Sequence, residues 1–168
     1  MLEYTNLEEI WFVVTPHNPH KNKTSLLDDH TRLRMVQLAL EEQYKLRASN
    51  MEFALPQPSY TATSLAHAVE KFPGKEFALI MGADNLASFK RWRNWEWIID
   101  HHELYVYPRL ESDGGELRNH PRVHCTEAPI MQIASTDIRQ AIAAQKEVSF
   151  MLPPAVWRFI DENLYYRS

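Results

Sequence analysis

The chain has 168 residues, 45% of them hydrophobic and 24% charged, and a formal net charge of −4. This length and composition are typical of a single folded domain and exclude an intrinsically disordered chain. The acidic balance argues against a nucleic-acid partner, and no run approaches the roughly 20 apolar residues that cross a membrane. The single cysteine, Cys125, excludes an internal disulfide framework. We therefore expect one cytoplasmic domain over residues 1–168.

In the first half of the chain, short apolar runs alternate with helical patterns. Residues Ile10 to Val14 are apolar and rich in β-formers, which predicts a buried strand. Apolar residues recur at helical spacing from Asp28 to Glu42, and Asp28 or Asp29 can cap this helix. Residues Met51 to Leu55 predict a second strand, and Tyr60 to Phe72 predict a second helix.

The second half continues this alternation. Residues Phe77 to Met81 predict the clearest buried strand, and further strands are predicted at Leu104 to Tyr107 and at Arg122 to Cys125. Helices are predicted after Gly82-Ala83-Asp84 as far as Asp100, at Ser135 to Ala144 and at Pro154 to Tyr165. An exposed loop is predicted at Gly114-Gly115.

Taken together, the predicted strands have continuous apolar cores and alternate with helices. This pattern indicates an α/β fold in which a parallel sheet is covered on both faces. Ligands of such folds bind beyond the carboxyl ends of the strands. The ligand site is therefore expected at Thr15-Pro16, Gly82-Ala83-Asp84 and Tyr107-Pro108-Arg109.

Five short segments, in their order and spacing, resemble the bacterial nicotinate-nucleotide adenylyltransferases. They are Thr15-Pro16-His17-Asn18-Pro19-His20-Lys21, Pro58-Ser59-Tyr60-Thr61, Gly82-Ala83-Asp84-Asn85, Lys90-Arg91-Trp92 and Ile133-Ala134-Ser135-Thr136-Asp137-Ile138-Arg139. The resemblance implies a Rossmann-like, doubly wound nucleotidyltransferase fold. It also implies direct transfer of AMP from ATP to nicotinate mononucleotide in NAD synthesis, with release of pyrophosphate and with Mg²⁺ held mainly by the phosphates.

Two segments are candidate ATP contacts. Ser135 and Thr136 begin a predicted helix, where hydroxyls and free N–H groups can bind an anion, and Arg139 lies one turn further on. An ordinary helix cap with a solvated arginine would give the same pattern. Gly82 and Asp84 follow a strand and can approach a ribose, or they can form a simple strand-to-helix turn. The resemblance implies ATP binding for all five residues, although the family usually has serine at the position of Ala134.

Five further residues are candidate contacts to the second substrate. By resemblance, Trp92 stacks on the nicotinate ring, and Tyr60 and Thr61 help to hold the pyridine carboxylate. Lys21 and Arg109 follow strand ends and are, by resemblance, candidate contacts to phosphate or carboxylate. From the residues alone, Thr61 is a candidate helix cap, Trp92 a packing residue, and the two cations solvated charges.

The sequence lacks the motif G-x-F-x-P-x-H-x-G-H, whose histidines bind phosphates in the superfamily that this chain resembles. Residues Met1 to Leu7 look like the end of the helix that follows that motif, so we expect in-frame upstream sequence to encode it. In the strand order 3-2-1-4-5, the absent strand is the central one. We therefore expect two half-sheets with unpaired inner edges, and the catalytic residues stay unknown.

Several alternatives remain open at this stage. The rival enzyme is a phosphopantetheine adenylyltransferase, against which Tyr60-Thr61 and Trp92 argue, and the rival of another class is an inactive nucleotide-binding remnant. The sequence does not decide between nicotinate and nicotinamide nucleotides or whether the chain forms a homo-oligomer. No metal site is expected, because neither His17 with His20 nor His101 with His102 has a third ligand at zinc spacing.

Overall fold

The computed structural model describes residues 1–16 and 27–167 as strands and helices in the expected alternation. Lys21, His17 and His20 lie outside these residues. The strands are β1 (Ile10–Val13), β2 (Leu46–Ser49), β3 (Leu79–Gly82), β4 (Leu104–Tyr107) and β5 (Val123–Cys125). The α-helices are α1 (Asp29–Leu40), α2 (Thr61–Lys71), α3 (Ala83–Ala87), α4 (Trp95–His101), α5 (Ser135–Ala143) and α6 (Pro154–Glu162).

The strands form two separate parallel sheets within the described residues. β1 pairs with β2, with Ile10 opposite Leu46, and the second sheet has the order β3-β4-β5. Leu79 lies opposite Leu104 in the second sheet, and Leu104 lies opposite Val123. The α/β class, the parallel pairing and the division into two half-sheets are thereby confirmed. Parallel pairing brings the carboxyl ends of β3 and β4 to one edge, where the candidate site lies.

The prediction of a strand at Met51 to Leu55 is wrong. β2 lies five residues earlier, and Met51–Ala54 form a 3₁₀ helix that buries Met51 and Glu52. An apolar run of this length is consistent with either a strand or one buried helical turn. Pairing with β1 selects the more polar segment Leu46–Ser49 as the strand, and this pairing cannot be read from local composition.

Burial of the strands also differs from the sequence prediction. Phe12 in β1 is 44% exposed, and the rest of β1 is only partly buried. β1 has a hydrogen-bonded neighbour on the β2 side alone among the described residues. The strand predicted as most buried, β3, buries only Met81, whereas three of the four residues of β4 are buried. β4 is the central strand of its sheet, which explains its greater burial.

Helix α1 is held by side chains at its amino end. Asp28 accepts a hydrogen bond from the Thr31 backbone N–H at 3.0 Å, which confirms an aspartate cap and selects Asp28. Arg32 donates to the carbonyl oxygens of Thr15 at 2.9 Å and Leu27 at 3.1 Å. This guanidinium therefore ties together the two chain segments that flank residues 17–26.

The hydrophobic core consists of two clusters. The larger one packs α2, α3 and α4 against the second sheet and includes Phe89, which is completely buried. The smaller one joins α5 and α6 and contacts α1 through Met35 and Leu38. Trp95 packs against the larger cluster, as the helical spacing of Trp95 with Ile98 and Ile99 would suggest.

The expected exposed loop at Gly114-Gly115 is only partly exposed. Gly114 is buried and has a φ of 95°, and Gly115 begins a 3₁₀ helix that extends to Asn119. A Cβ atom on Gly114 would lie 3.2 Å from the Leu86 side chain, so this turn packs closely on α3. None of the helices in the described part of the chain is long and apolar enough to cross a bilayer.

Candidate nucleotide site

The ends of β3 and β4 bring three of the predicted residues together. Gly82 ends β3, Asp84 lies in the first turn of α3, and Arg109 follows β4. Arg109 Nε lies 3.4 Å from Asp84 Oδ1. A side chain on Gly82 would collide with that carboxylate oxygen and lie 3.0 Å from Arg109 Nε. Glycine at position 82 therefore leaves the space in which the Asp84–Arg109 pair forms.

A cavity of about 530 Å³ opens beside this ion pair. Its lining includes the charged side chains of Asp84, Arg109, Glu111 and Asp137, and an apolar wall that belongs to the segment Ile130–Ala134. Ile130, Met131 and Ile133 in that segment are exposed large apolar residues. A cavity with one apolar wall and a few charged groups suits a ligand that has a flat apolar part and polar substituents.

The side chain of Tyr107 fixes the apolar wall of the cavity. Its hydroxyl donates to the Pro129 carbonyl at 2.6 Å and accepts a hydrogen bond from the Met131 N–H at 2.8 Å. The sequence placed Tyr107 at the expected ligand site but did not indicate its hydrogen bonds to residues 129 and 131. The signal in the sequence that Tyr107 lies near the site was its position at the end of a strand, in the same parallel sheet as Gly82.

Helix α5 begins at Ser135, as predicted. Ala134 is its N-cap, and no side chain caps the helix, so the first N–H groups are available to an anion. Ser135 and Thr136 are exposed, and Arg139 Nη2 donates to Thr136 Oγ1 at 3.1 Å. Because Ala134 and Asp137 line the cavity, the first turn of α5 lies at its edge.

Two arginines lie near the phenol of Tyr166. Burial raises the pKa of Tyr166 above its ordinary value, and the positive charges of Arg139 and Arg32 act on that pKa in the opposite direction. The guanidinium groups from α5 and α1 therefore act on the same side chain. This positive region was not apparent from the sequence, because Arg32 and Arg139 are 107 residues apart (139 − 32 = 107).

Two other predicted residues, Tyr60 and Thr61, lie at the start of α2. Tyr60 is the N-cap, so the prediction that Thr61 caps the helix is wrong, and α2 has no side-chain cap. Trp92 is partly buried, and its ring centroid lies 5.4 Å from that of Phe89. Arg93, which sequence reasoning passed over, places its guanidinium 4.7 Å from the centroid of the Tyr60 ring.

The structure thus divides the candidate residues into two groups. Arg109, which was considered for the second substrate, lies with Asp84 at the cavity rather than in the contacts of Tyr60 and Trp92 described above. Within residues 1–16 and 27–167, no three His, Cys, Asp or Glu side chains are grouped to hold a metal ion. His101 stacks on Trp97, and His102 Nδ1 lies 2.7 Å from the Phe77 carbonyl oxygen, so both have packing roles.

Comparisons with known proteins agree on one family. Residues 1–141 match the family model described as cytidylyltransferase-like. A relative from Flavobacterium johnsoniae is 51% identical over 170 residues, which cover 100% of this chain and 88% of the relative. One from Christiangramia forsetii is 53% identical over 169 residues, which cover 99% of this chain and 87% of the relative. Both bear the name "Probable nicotinate-nucleotide adenylyltransferase".

A solved structure has the same fold. The nicotinic acid mononucleotide adenylyltransferase of Plasmodium falciparum, in complex with NaAD, superposes with a TM-score of 0.77. The match covers 95% of this chain and 82% of that one, at 18% sequence identity. Fold, family match and full-length identity above 50% agree with the resemblance carried by the five motifs. The chain belongs to the nicotinate-nucleotide adenylyltransferases, a family of transferases with the nucleotidyltransferase fold.

Proposed function

We propose that this protein transfers the AMP moiety of ATP to nicotinate mononucleotide, forming nicotinate adenine dinucleotide and pyrophosphate. The observation that carries the proposal is the cavity at the carboxyl ends of β3 and β4. It places a carboxylate–arginine pair and an apolar wall beside the uncapped start of α5. A nucleoside triphosphate has the matching features: a flat base, a ribose with two hydroxyls, and an anionic chain.

In this proposal ATP binds to the residues of the cavity. The base lies against Ile130–Ile133, and Asp84 accepts hydrogen bonds from the ribose hydroxyls. The phosphates bind to the N–H groups and hydroxyls of Ser135 and Thr136 and to the guanidinium of Arg139. The absence of a side-chain cap on α5 supports this assignment, because a cap would compete with the phosphates for the same N–H groups.

Nicotinate mononucleotide binds to the second group in this proposal. The pyridine ring stacks on Trp92, and the ring carboxylate faces Tyr60 and Thr61 at the start of α2. Lys21, which lies outside the described residues, is proposed to bind its phosphate. Arg109 is assigned to the boundary between the substrates, because its guanidinium already pairs with Asp84 of the ATP group.

The reaction is a direct displacement at the α-phosphorus of ATP. A phosphate oxygen of nicotinate mononucleotide forms the new P–O bond, and the bond to pyrophosphate breaks, so no covalent enzyme intermediate is needed. The protein contributes by positioning both substrates and by neutralising charge that develops on the leaving group. Among the residues that the structure describes, Arg139 and the first turn of α5 neutralise the charge on the leaving group.

Mg²⁺ is proposed to enter with ATP. This ion prefers oxygen ligands and is usually bound by substrate phosphates with one or two carboxylates. The residues of the cavity fit that chemistry, since Asp84 and Asp137 both line it. When bound, the ion would reduce the charge repulsion between the phosphates and the attacking oxygen. A cytoplasmic location is part of the proposal, because ATP and nicotinate mononucleotide are both intracellular metabolites.

Titration with the product tests whether the two groups form one site. Nicotinate adenine dinucleotide should bind at least tenfold more tightly than AMP or nicotinate mononucleotide, because one linked molecule occupies both groups. Calorimetric titration of the same protein sample with the three ligands measures the difference. If the dinucleotide binds no more tightly than AMP, the two groups of residues do not form a common site.

A further inference from the structure

The apolar wall of the cavity belongs to a segment with little backbone support. Residues 127–133 lie between β5 and α5 and form neither a strand nor a helix. The nearest backbone hydrogen bonds are donated by the Thr126 N–H, before the segment, and by the Asp137 N–H, after it. Among the described residues, the only hydrogen bonds that join residues 127–133 to the rest of the protein are the two made by the Tyr107 hydroxyl. One side chain therefore provides all the hydrogen-bonded anchoring of this wall.

The Tyr107 hydroxyl uses both its donor and its acceptor on this segment. It donates to the Pro129 carbonyl oxygen at 2.6 Å and accepts from the Met131 N–H at 2.8 Å. Because a phenol has one O–H donor and an acceptor oxygen, a single group fixes two backbone positions. Packing restrains the segment less, since Ala128 is the only buried residue within 127–133 and the Met131 side chain is 61% exposed.

The ring of Tyr107 contacts a charged group of the same cavity. The Arg109 guanidinium lies 5.6 Å from the ring centroid, where the negative face of the ring attracts a cation. Arg109 also pairs with Asp84, and both residues line the cavity. Tyr107 does not itself line the cavity. Any effect of Tyr107 on a ligand therefore passes through the residues that it holds.

We propose that Tyr107 is a positioning residue for ATP, because its hydroxyl holds residues 130–133 where they pack against the base. Without this hydroxyl, the segment would sample more conformations in the free protein, and binding of the base would have to order it at a cost in conformational entropy. The loss falls on ATP alone, since neither Tyr60 nor Trp92 lines the cavity. This inference rests on the proposed function, because it needs ATP in the cavity.

Tyr107→Phe tests the hydroxyl alone, because the variant keeps the ring beside Arg109. In calorimetric titrations, Kd for ATP should rise about fivefold, the scale of one net hydrogen bond, and Kd for nicotinate mononucleotide should stay within twofold. Tyr107→Leu also removes the ring and should raise Kd for ATP further. Tyr105→Phe is the matched control on the same strand: its hydroxyl donates to Asn6 Oδ1, and neither residue lines the cavity. Both Kd values should be unchanged in this control.

Amide hydrogen exchange at Met131 gives a readout that does not depend on ATP. The Met131 N–H should exchange about fivefold faster in Tyr107→Phe than in the parent protein, because its acceptor is removed. Exchange of the Thr126 N–H, which is bonded to the Val106 carbonyl oxygen, should not change, and this shows that the variant is folded.

Three results would overturn the inference, and a fourth would overturn the proposed function instead. Tyr107 does not position the wall for ATP if Tyr107→Phe leaves Met131 exchange unchanged, leaves Kd for ATP unchanged, or raises Kd for both substrates equally. If the parent protein binds no ATP, the proposed function fails. In that case faster exchange at Met131 would still show that the hydroxyl anchors the segment.

Discussion

Replacing Arg139 by lysine should lower kcat/KM for ATP by about tenfold or more. Arginine can bond two phosphate oxygens at once, whereas lysine offers a compact point charge. A charge-assisted hydrogen bond contributes about 1.5–3 kcal/mol, which corresponds to that loss. Arg139 is well placed for this role, since its guanidinium already reaches Thr136 Oγ1 in the first turn of α5. Steady-state kinetics measure the change.

The melting temperature without ligand distinguishes a phosphate contact from a structural role for Arg139. It should move little in Arg139→Lys, because the lysine ammonium can still donate to Thr136. Arg158→Lys on α6 is a matched control and should leave ATP kinetics unchanged. Normal ATP kinetics in Arg139→Lys, or a variant that is mainly less stable, would mean that the phosphate site has been assigned to the wrong residues.

Replacing Trp92 by alanine should weaken binding of nicotinate mononucleotide by about 1–3 kcal/mol, the scale of a lost stack between a base and an aromatic ring. ATP affinity should change little, because the cavity beside Asp84 is not lined by Trp92. Trp92 also packs on Phe89, so the substitution removes some core contact as well. Calorimetric titration with each substrate separates the two effects.

Trp95→Ala provides the matched control for Trp92→Ala. The Trp95 ring lies 6.2 Å from the same Phe89 ring, so its removal also takes an aromatic contact from the core. It should lower the melting temperature without changing the affinity for either substrate. Equal losses of affinity for ATP and nicotinate mononucleotide in Trp92→Ala would identify Trp92 as a folding residue rather than a substrate contact.

Features that depend on neighbouring residues could be predicted from the sequence. The Asp28 cap, the start of α5 at Ser135 and the strand at Leu104 to Tyr107 all follow from local side chains and apolar spacing. The division into two sheets was also predicted, from the order of strands in a doubly wound sheet.

Features that depend on distant partners could not be predicted. β2 is set by pairing with β1, and the exposure of Phe12 depends on which elements cover its face of the sheet. The contact of Arg109 with Asp84 joins residues from two strand ends, and no local pattern marks it. Arg93 was passed over for the same reason, since its contact with Tyr60 spans 33 positions (93 − 60 = 33). The role of Lys21 stays a prediction.

The central claim is that this protein joins ATP and nicotinate mononucleotide. The most direct test supplies ATP labelled at the α-phosphorus to the protein, together with Mg²⁺ and one acceptor at a time. With nicotinate mononucleotide we expect labelled dinucleotide and pyrophosphate in equal amounts, and with phosphopantetheine we expect neither. Transfer to phosphopantetheine, or binding of both nucleotides without any transfer, would contradict the account.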